Sequence, residues 1–118
     1  LAALKHADAV VADIAATLRS LSAAGTPTLL LVTTDHGRAD GFSDHGQAHP
    51  ESSRVWLIAS GDPIAARGFV ASPETRYLAD VPMTIRALTG LDSAPANHGA
   101  VLFELFAEPP PSGALAHR

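Results

Sequence analysis

The sequence has 118 residues, which is enough for one small domain and too few for two. It carries 8 Lys and Arg against 12 Asp and Glu, and the net charge of -4 argues against nucleic-acid binding, which requires a basic surface. Cysteine is absent, which excludes disulfides and thiolate metal ligands and leaves the cellular compartment open. No apolar run approaches the roughly 18 residues of a membrane span.

The first 34 residues contain the clearest periodic pattern. Residues 1–24 are rich in alanine, and their larger apolar residues recur at steps that predict an amphipathic helix: Leu4, Val11, Ile14, Leu18 and Leu21. Gly25 suits a helix C-cap and Pro27 cannot continue the helical hydrogen bonds, so the helix is expected to end here. Residues 28–34 are a continuous apolar run, which is typical of a strand buried in a parallel sheet with helices on both faces.

A polar segment without periodicity follows, over residues 35–54. A loop of this length in a compact domain is usually functional or disordered. Residues 55–59 read as a second strand, with Trp56 in the core and a turn at residues 60–63. A short strand is also expected around residues 69–70.

The C-terminal third is expected to hold one more helix, over residues 77–88, with an apolar face made of Leu78, Val81, Ile85 and Leu88. Pro82 fits its first turn and Gly90 stops it. Residues 101–106 are ambiguous between a short helix and an edge strand.

The fold class expected from these elements is α/β, with a parallel sheet flanked by helices. Two strands alone are marginal in water, and a doubly buried sheet needs strands on both sides. We therefore expect residues 1–107 to be the C-terminal part of a larger α/β domain that is incomplete on its N-terminal side. Residues 108–118, which include three consecutive prolines, are expected to be a flexible tail.

The residues that carry chemistry follow the first strand. Asp35 and His36 lie at its C-terminal end, which is where open parallel sheets bind ligands. Gly37 tolerates a positive φ and so permits the turn that brings both side chains to one ion. Carboxylate oxygen and imidazole nitrogen suit zinc and similar divalent ions. His45 offers a third ligand, and His49 is the alternative for that role.

Other polar residues have simpler interpretations. Asp40 and Asp44 are expected to cap the loop or to be solvated. Arg38 could meet an anionic substrate oxygen, although a surface ion pair with Asp40 is the simpler expectation. The remaining histidines are expected to be structural or to face solvent: His6, His98 and His117.

In order and spacing, these motifs resemble the alkaline phosphatase superfamily. Its members include sulfatases, type I phosphodiesterases, phosphopentomutases and cofactor-independent phosphoglycerate mutases. The strand followed by Asp35, His36 and Gly37 resembles the superfamily signature, and His45-Gly46 resembles its later metal-ligand histidine. Residues 77–90 are similar to a helix of the superfamily that carries an Asp, then a Pro and a Thr, and finally a Leu and a Gly. The resemblance covers about residues 1–106.

The resemblance implies a two-metal site for phosphoryl or sulfuryl transfer. By match, Asp35 and His36 would hold the ion that activates the nucleophile, and His45 would hold the ion that binds the leaving-group oxygen. Zinc is the first choice of metal, with manganese, calcium and magnesium as alternatives. The implied substrate is a phosphate or sulfate ester.

The serine or threonine nucleophile of the superfamily, with its further metal ligands, has no counterpart in this sequence. We therefore expect this chain to be a C-terminal fragment of a metal-dependent hydrolase, inactive by itself, whose partner is the remainder of its own domain upstream. The alternative is a non-catalytic module that binds metal or another protein.

Overall fold

The N-terminal helix, α1, spans Ala2–Ala23 and confirms the helix expected from the apolar spacing. A computed structural model describes residues 1–46, 48–91 and 99–108 of the chain. α1 is followed by Gly25, whose φ of +91° is a left-handed conformation that costs glycine no Cβ strain. The hydroxyl of Thr28 then donates to the carbonyl of Leu18 at 3.1 Å, which holds the returning chain against the helix.

The sheet contains two strands, β1 (Leu29–Thr33) and β2 (Leu57–Gly61), and the α/β class is confirmed at this level. The strands pair antiparallel, with Leu29 opposite Gly61 and Thr33 opposite Leu57. The expected parallel sheet is therefore not seen in the described residues. The long connection after β1 returns to the same end of the sheet without a crossover, and two strands joined in this way run antiparallel.

β2 begins two residues later than the sequence predicted. Ser60 and Gly61, which were expected in a turn, belong to the strand and lie opposite Leu30 and Leu29. Trp56 consequently precedes the strand, and its 50% exposure shows that its expected place in the core is wrong. Neither residue 69 nor residue 70 is in a strand, and Phe69 is almost fully exposed.

The second helix, α2, spans Asp80–Thr89, so its predicted start was three residues too early. Its end is as expected, because Gly90 adopts a φ of +70°. The predicted apolar face is not the most buried one: the buried residues are Asp80, Thr84 and Ala87, and Ile85 is 43% exposed.

Hydrogen bonds to residues before and after α2 explain this orientation. The carboxylate of Asp80 accepts from the backbone N–H of Tyr77 at 2.9 Å and of Ala100 at 2.8 Å. The Thr84 hydroxyl accepts from the N–H of Leu102 at 3.0 Å. Buried polar groups with partners in this geometry fix which helix face turns inward.

Residues 101–106, for which the sequence left a short helix and an edge strand open, contain features of both. Phe103–Leu105 is a short 3-10 helix. The next residue, Phe106, forms an isolated antiparallel bridge with Ile64 and is 2% exposed.

α1 packs on one face of the sheet, where Val11 and Leu18 are half-buried. The other face, with Leu29 and Leu31, borders a cavity of about 1440 Å³ that α2 also lines. Within the described residues, the buried apolar side chains are few, and two of the four are alanines: Ala39, Ala87, Leu102 and Phe106. Much of the apolar surface of the two helices is therefore left uncovered.

α1 also presents an apolar stripe to solvent, since Val10, Ile14 and Leu21 are each 44% exposed. Ile14 and Leu21 were predicted to lie on one face with Val11 and Leu18, but they are more exposed than these two residues. In the part of the chain that the structure describes, neither helix has the length and apolarity that crossing a membrane requires. Most of the expected tail (residues 109–118, with His117) and His98 lie outside the described residues.

Candidate metal site

The candidate ligands lie on the connection between the strands, residues 34–56, which begins where β1 ends. Among its described residues, this connection has one regular element, a short 3-10 helix over Pro50–Ser53. Gly37 packs against that helix: a Cβ on Gly37 would lie 2.6 Å from the carbonyl oxygen of Arg54 and 2.8 Å from that of Glu51. Gly37 does not have the positive φ that the sequence suggested. The glycine is needed for close approach, and this approach anchors the start of the loop.

Asp35 and His36 are in contact at the end of β1. One carboxylate oxygen of Asp35 accepts from the backbone N–H of His36 at 2.9 Å, and the other lies 3.4 Å from His36 Nε2. The expected departure from pleated geometry is confirmed here, because two consecutive side chains point to one place. Their side chains are 86% and 39% exposed, so an ion could enter from solvent.

The ring of His36 is oriented by the backbone. His36 Nδ1 lies 2.7 Å from the carbonyl oxygen of Gly37, and a carbonyl can only accept, so Nδ1 carries the proton. In the neutral ring Nε2 then holds the lone pair that can bind a metal ion, and Nε2 lies 3.4 Å from Asp35 Oδ2. Metal-ligating histidines commonly donate their other ring N–H to a carbonyl in this way.

The separation of the two atoms also suits a shared ion. Two ligands of a tetrahedral zinc ion with bonds of about 2.1 Å lie about 3.4 Å apart. Asp35 Oδ2 and His36 Nε2 are 3.4 Å apart. The donor set and its spacing therefore fit half of a tetrahedral site.

His45 is the third predicted ligand, and its ring stacks on that of His36. The ring centroids are 4.3 Å apart and the planes differ by 3°. Imidazole lone pairs lie in the ring plane, so two parallel rings do not direct their nitrogens at one ion. In agreement with this, the described residues contain no group of three or more His, Cys, Asp or Glu side chains placed to hold one metal ion.

A second carboxylate–imidazole pair lies in the same loop. Asp44 accepts from the backbone N–H of His45 at 2.8 Å, and its other oxygen is 3.6 Å from His49 Nε2. His49, the alternative third ligand, thus pairs with Asp44 and not with Asp35. The tripeptide Asp-His-Gly occurs twice in the sequence, at residues 35–37 and 44–46, but this repeat does not indicate that Asp44 pairs with His49.

Ser52 connects the two tripeptides and was missed by sequence reasoning. Its carbonyl accepts from the N–H of Gly37 at 2.7 Å, and its hydroxyl accepts from the N–H of Gly46 at 3.0 Å. The hydroxyl proton can go to the carbonyl of Gly46 or of His49, at 2.9 and 2.6 Å. Ser52 is 7% exposed. A serine in a polar segment carries no sequence signal that distinguishes this role from a solvated one.

Arg38 and Phe42 lie on the turn between the two histidines. Arg38 donates from Nη1 to the carbonyl of Phe42 at 2.9 Å, and in the described part of the chain no ion pair joins it to Asp40. The expected Asp40 pair is therefore wrong. Phe42 has a φ of 55° and is 78% exposed. His6, as expected, is exposed on α1.

Comparisons of this chain with family models, with curated proteins and with solved structures found no match.

Proposed function

We propose that this chain supplies part of a two-metal centre to a hydrolase of phosphate or sulfate esters, of the alkaline phosphatase type. In this proposal Asp35 and His36 hold one divalent ion and His45 holds the other, with zinc preferred over manganese, calcium or magnesium. The observation that carries it is the 3.4 Å separation of His36 Nε2 and Asp35 Oδ2, in a ring whose Nδ1 lies 2.7 Å from the carbonyl oxygen of Gly37.

The stack of His36 on His45 supports separate ions better than a shared one. Paired metal ions in such sites are about 3.5–4 Å apart, and the two ring centroids are 4.3 Å apart. When bound, the pair of ions stabilises the attacking and the departing oxygen of an in-line displacement. The role of the chain's own residues is to present neutral imidazoles in parallel planes and to hold the Asp35 carboxylate beside one of them.

The proposal also includes the arrangement of the sheet in the larger domain. An antiparallel edge strand on an otherwise parallel sheet is common in large α/β domains, and β2 suits that position. The remainder of the domain would then pair with the free edge of β1 and cover the exposed stripe of α1. β1 is uncharged and lacks proline, so its edge has none of the usual protection against pairing.

Zinc titration of the chain by calorimetry tests the proposal. We expect binding that weakens at least tenfold in His36→Ala, because the fixed lone pair is lost. The matched control is His6→Ala, which removes an exposed histidine on α1, 30 residues before His36 in the sequence, and should leave the affinity unchanged. Affinity should also fall in acid, since protons compete with the metal for imidazole nitrogen. Equal affinity in both variants would contradict the proposal.

The chain is expected to show no metal-dependent hydrolysis of p-nitrophenyl phosphate, because this sequence has no counterpart of the superfamily's nucleophile. Hydrolysis well above the buffer rate would show that this expectation is wrong. The alternative, a non-catalytic module, is favoured by the lack of a three-ligand group in the described residues. The sequence upstream of Leu1 distinguishes the two hypotheses. The alternative would be supported if that sequence contained no strand followed by Asp and then Ser or Thr, and no further metal ligands.

A further inference from the structure

A second cavity of about 590 Å³ lies along β2, away from the pairing with β1. Five consecutive residues from Val55 to Ala59 line it, whereas β1 contributes only Thr33. Its wall is apolar and includes Leu57, Val81 and Leu102. The volume is within the range of about 300–1,000 Å³ that is usual for small-molecule sites. We call it the aromatic pocket, after the rings at its rim.

Aromatic residues are concentrated there. The chain has four Phe, one Trp and one Tyr. Trp56, Phe69 and Tyr77 all line this one pocket, and they are 50%, 94% and 66% exposed. Rings around an apolar wall offer flat faces to which a planar molecule can stack, with a gain beyond simple burial.

The charged groups in the pocket neutralise one another. Arg76 donates from Nε and Nη2 to the two carboxylate oxygens of Glu104, at 2.7 and 2.8 Å. The hydrogen bonds that Arg76 donates to Glu104 raise the pKa of Arg76. Arg76 Nη1 also lies 3.3 Å from a carboxylate oxygen of Glu74, so carboxylates contact the guanidinium on two sides. An anionic ligand would have to compete with Glu104 for this guanidinium.

From the rings, the apolar wall and the internally paired charges, we infer that the aromatic pocket binds a neutral, planar aromatic small molecule. The volume suits a small ligand. The pocket is separate from Asp35, His36 and His45, and the inference does not depend on the proposed hydrolase.

The probe for the test is N-phenyl-1-naphthylamine, a neutral aromatic dye, titrated into the full chain. We expect saturable binding at one site and quenching of Trp56, the single tryptophan, with the same midpoint. Phe69→Ala and Tyr77→Ala should each weaken binding about threefold to tenfold. Both side chains are mostly exposed, so neither change removes a buried contact. Circular dichroism verifies that helix content is kept.

The matched control is Phe42→Ala, which removes an exposed aromatic ring outside the pocket and should leave the affinity unchanged. Equal binding by all the variants, or binding at several sites, would show that the dye only covers apolar surface and would overturn the inference. An affinity that falls as chain concentration rises would show that a second copy fills the pocket, and would overturn it too.

Discussion

The two Asp-His-Gly tripeptides have the same sequence and the same local hydrogen bond, yet they are held differently. In both, the Asp carboxylate accepts from the backbone N–H of the next histidine, at 2.9 Å for Asp35 and 2.8 Å for Asp44. The first follows directly from β1, so the sheet positions it. The second lies in the middle of the irregular connection, where hydrogen bonds to Ser52 hold it.

Their glycines show the difference most clearly. Gly37 has no room for a side chain because two backbone carbonyls lie against it. Gly46 has open space around its Cα but a φ of +109°. The same residue type is thus required once for close packing and once for backbone conformation. The same tripeptide can therefore require its glycine for different physical reasons, because the neighbouring residues determine what each glycine must do.

The largest expected effect is that of Gly37→Ala. The new Cβ meets backbone oxygens that can move only if the 3-10 helix moves, and we expect the free energy of unfolding to fall by about 1–3 kcal/mol. Gly46→Ala, the matched comparison, should cost about 1 kcal/mol through its left-handed backbone. Urea unfolding measures both. A larger loss in Gly46→Ala would contradict the contrast between the two glycines.

The second largest expected effect is on the affinity for zinc, and it distinguishes the carboxylates of Asp35 and Asp44. We expect Asp35→Ala to weaken zinc binding at least tenfold, and Asp44→Ala to leave it nearly unchanged. The reason is that His36 has its Nδ1 held by a carbonyl, whereas the described residues provide no such bond for His49. Calorimetric titration of the two variants checks this. Equal losses would show that the Asp44 carboxylate contributes to zinc binding as much as that of Asp35, and would contradict the prediction.

The smallest effect is that of Ser52→Ala. The change removes the hydroxyl that accepts from Gly46 but keeps the carbonyl that accepts from Gly37. We expect a loss of about 1 kcal/mol of stability. Hydrogen exchange should become faster at the Gly46 amide and stay unchanged at the Gly37 amide. Faster exchange at both would show that the side chain, and not the backbone of Ser52, holds the whole loop.

Sequence periodicity predicted the elements well where local pattern controls them. α1 follows from its apolar spacing, and glycine follows each helix as expected. The starts of β2 and α2 were misplaced by two and three residues, because pairing with β1 and the Asp80 hydrogen bonds set them. Both interactions join residues far apart in the chain or depend on a side chain whose partner the local pattern does not reveal.

The candidate site was predicted in part. The sequence singled out Asp35, His36 and His45, and the structure brings them into contact as one pair and one ring stack. Metal binding by these residues stays a prediction. The Asp44–His49 pair and the role of Ser52 were not foreseen, because a polar loop without periodicity contains no rule for which side chains meet.

The sequence by itself determined the α/β composition, the long first helix, the apolar first strand and the placement of an acid and an imidazole at that strand's end. Only the tertiary structure decided that the strands pair antiparallel, that Trp56 lies at a pocket rim and that the two histidine rings stack. The physical reason is range: helix periodicity and strand apolarity act between near neighbours, whereas strand direction, ring stacking and packing depend on which distant residues meet.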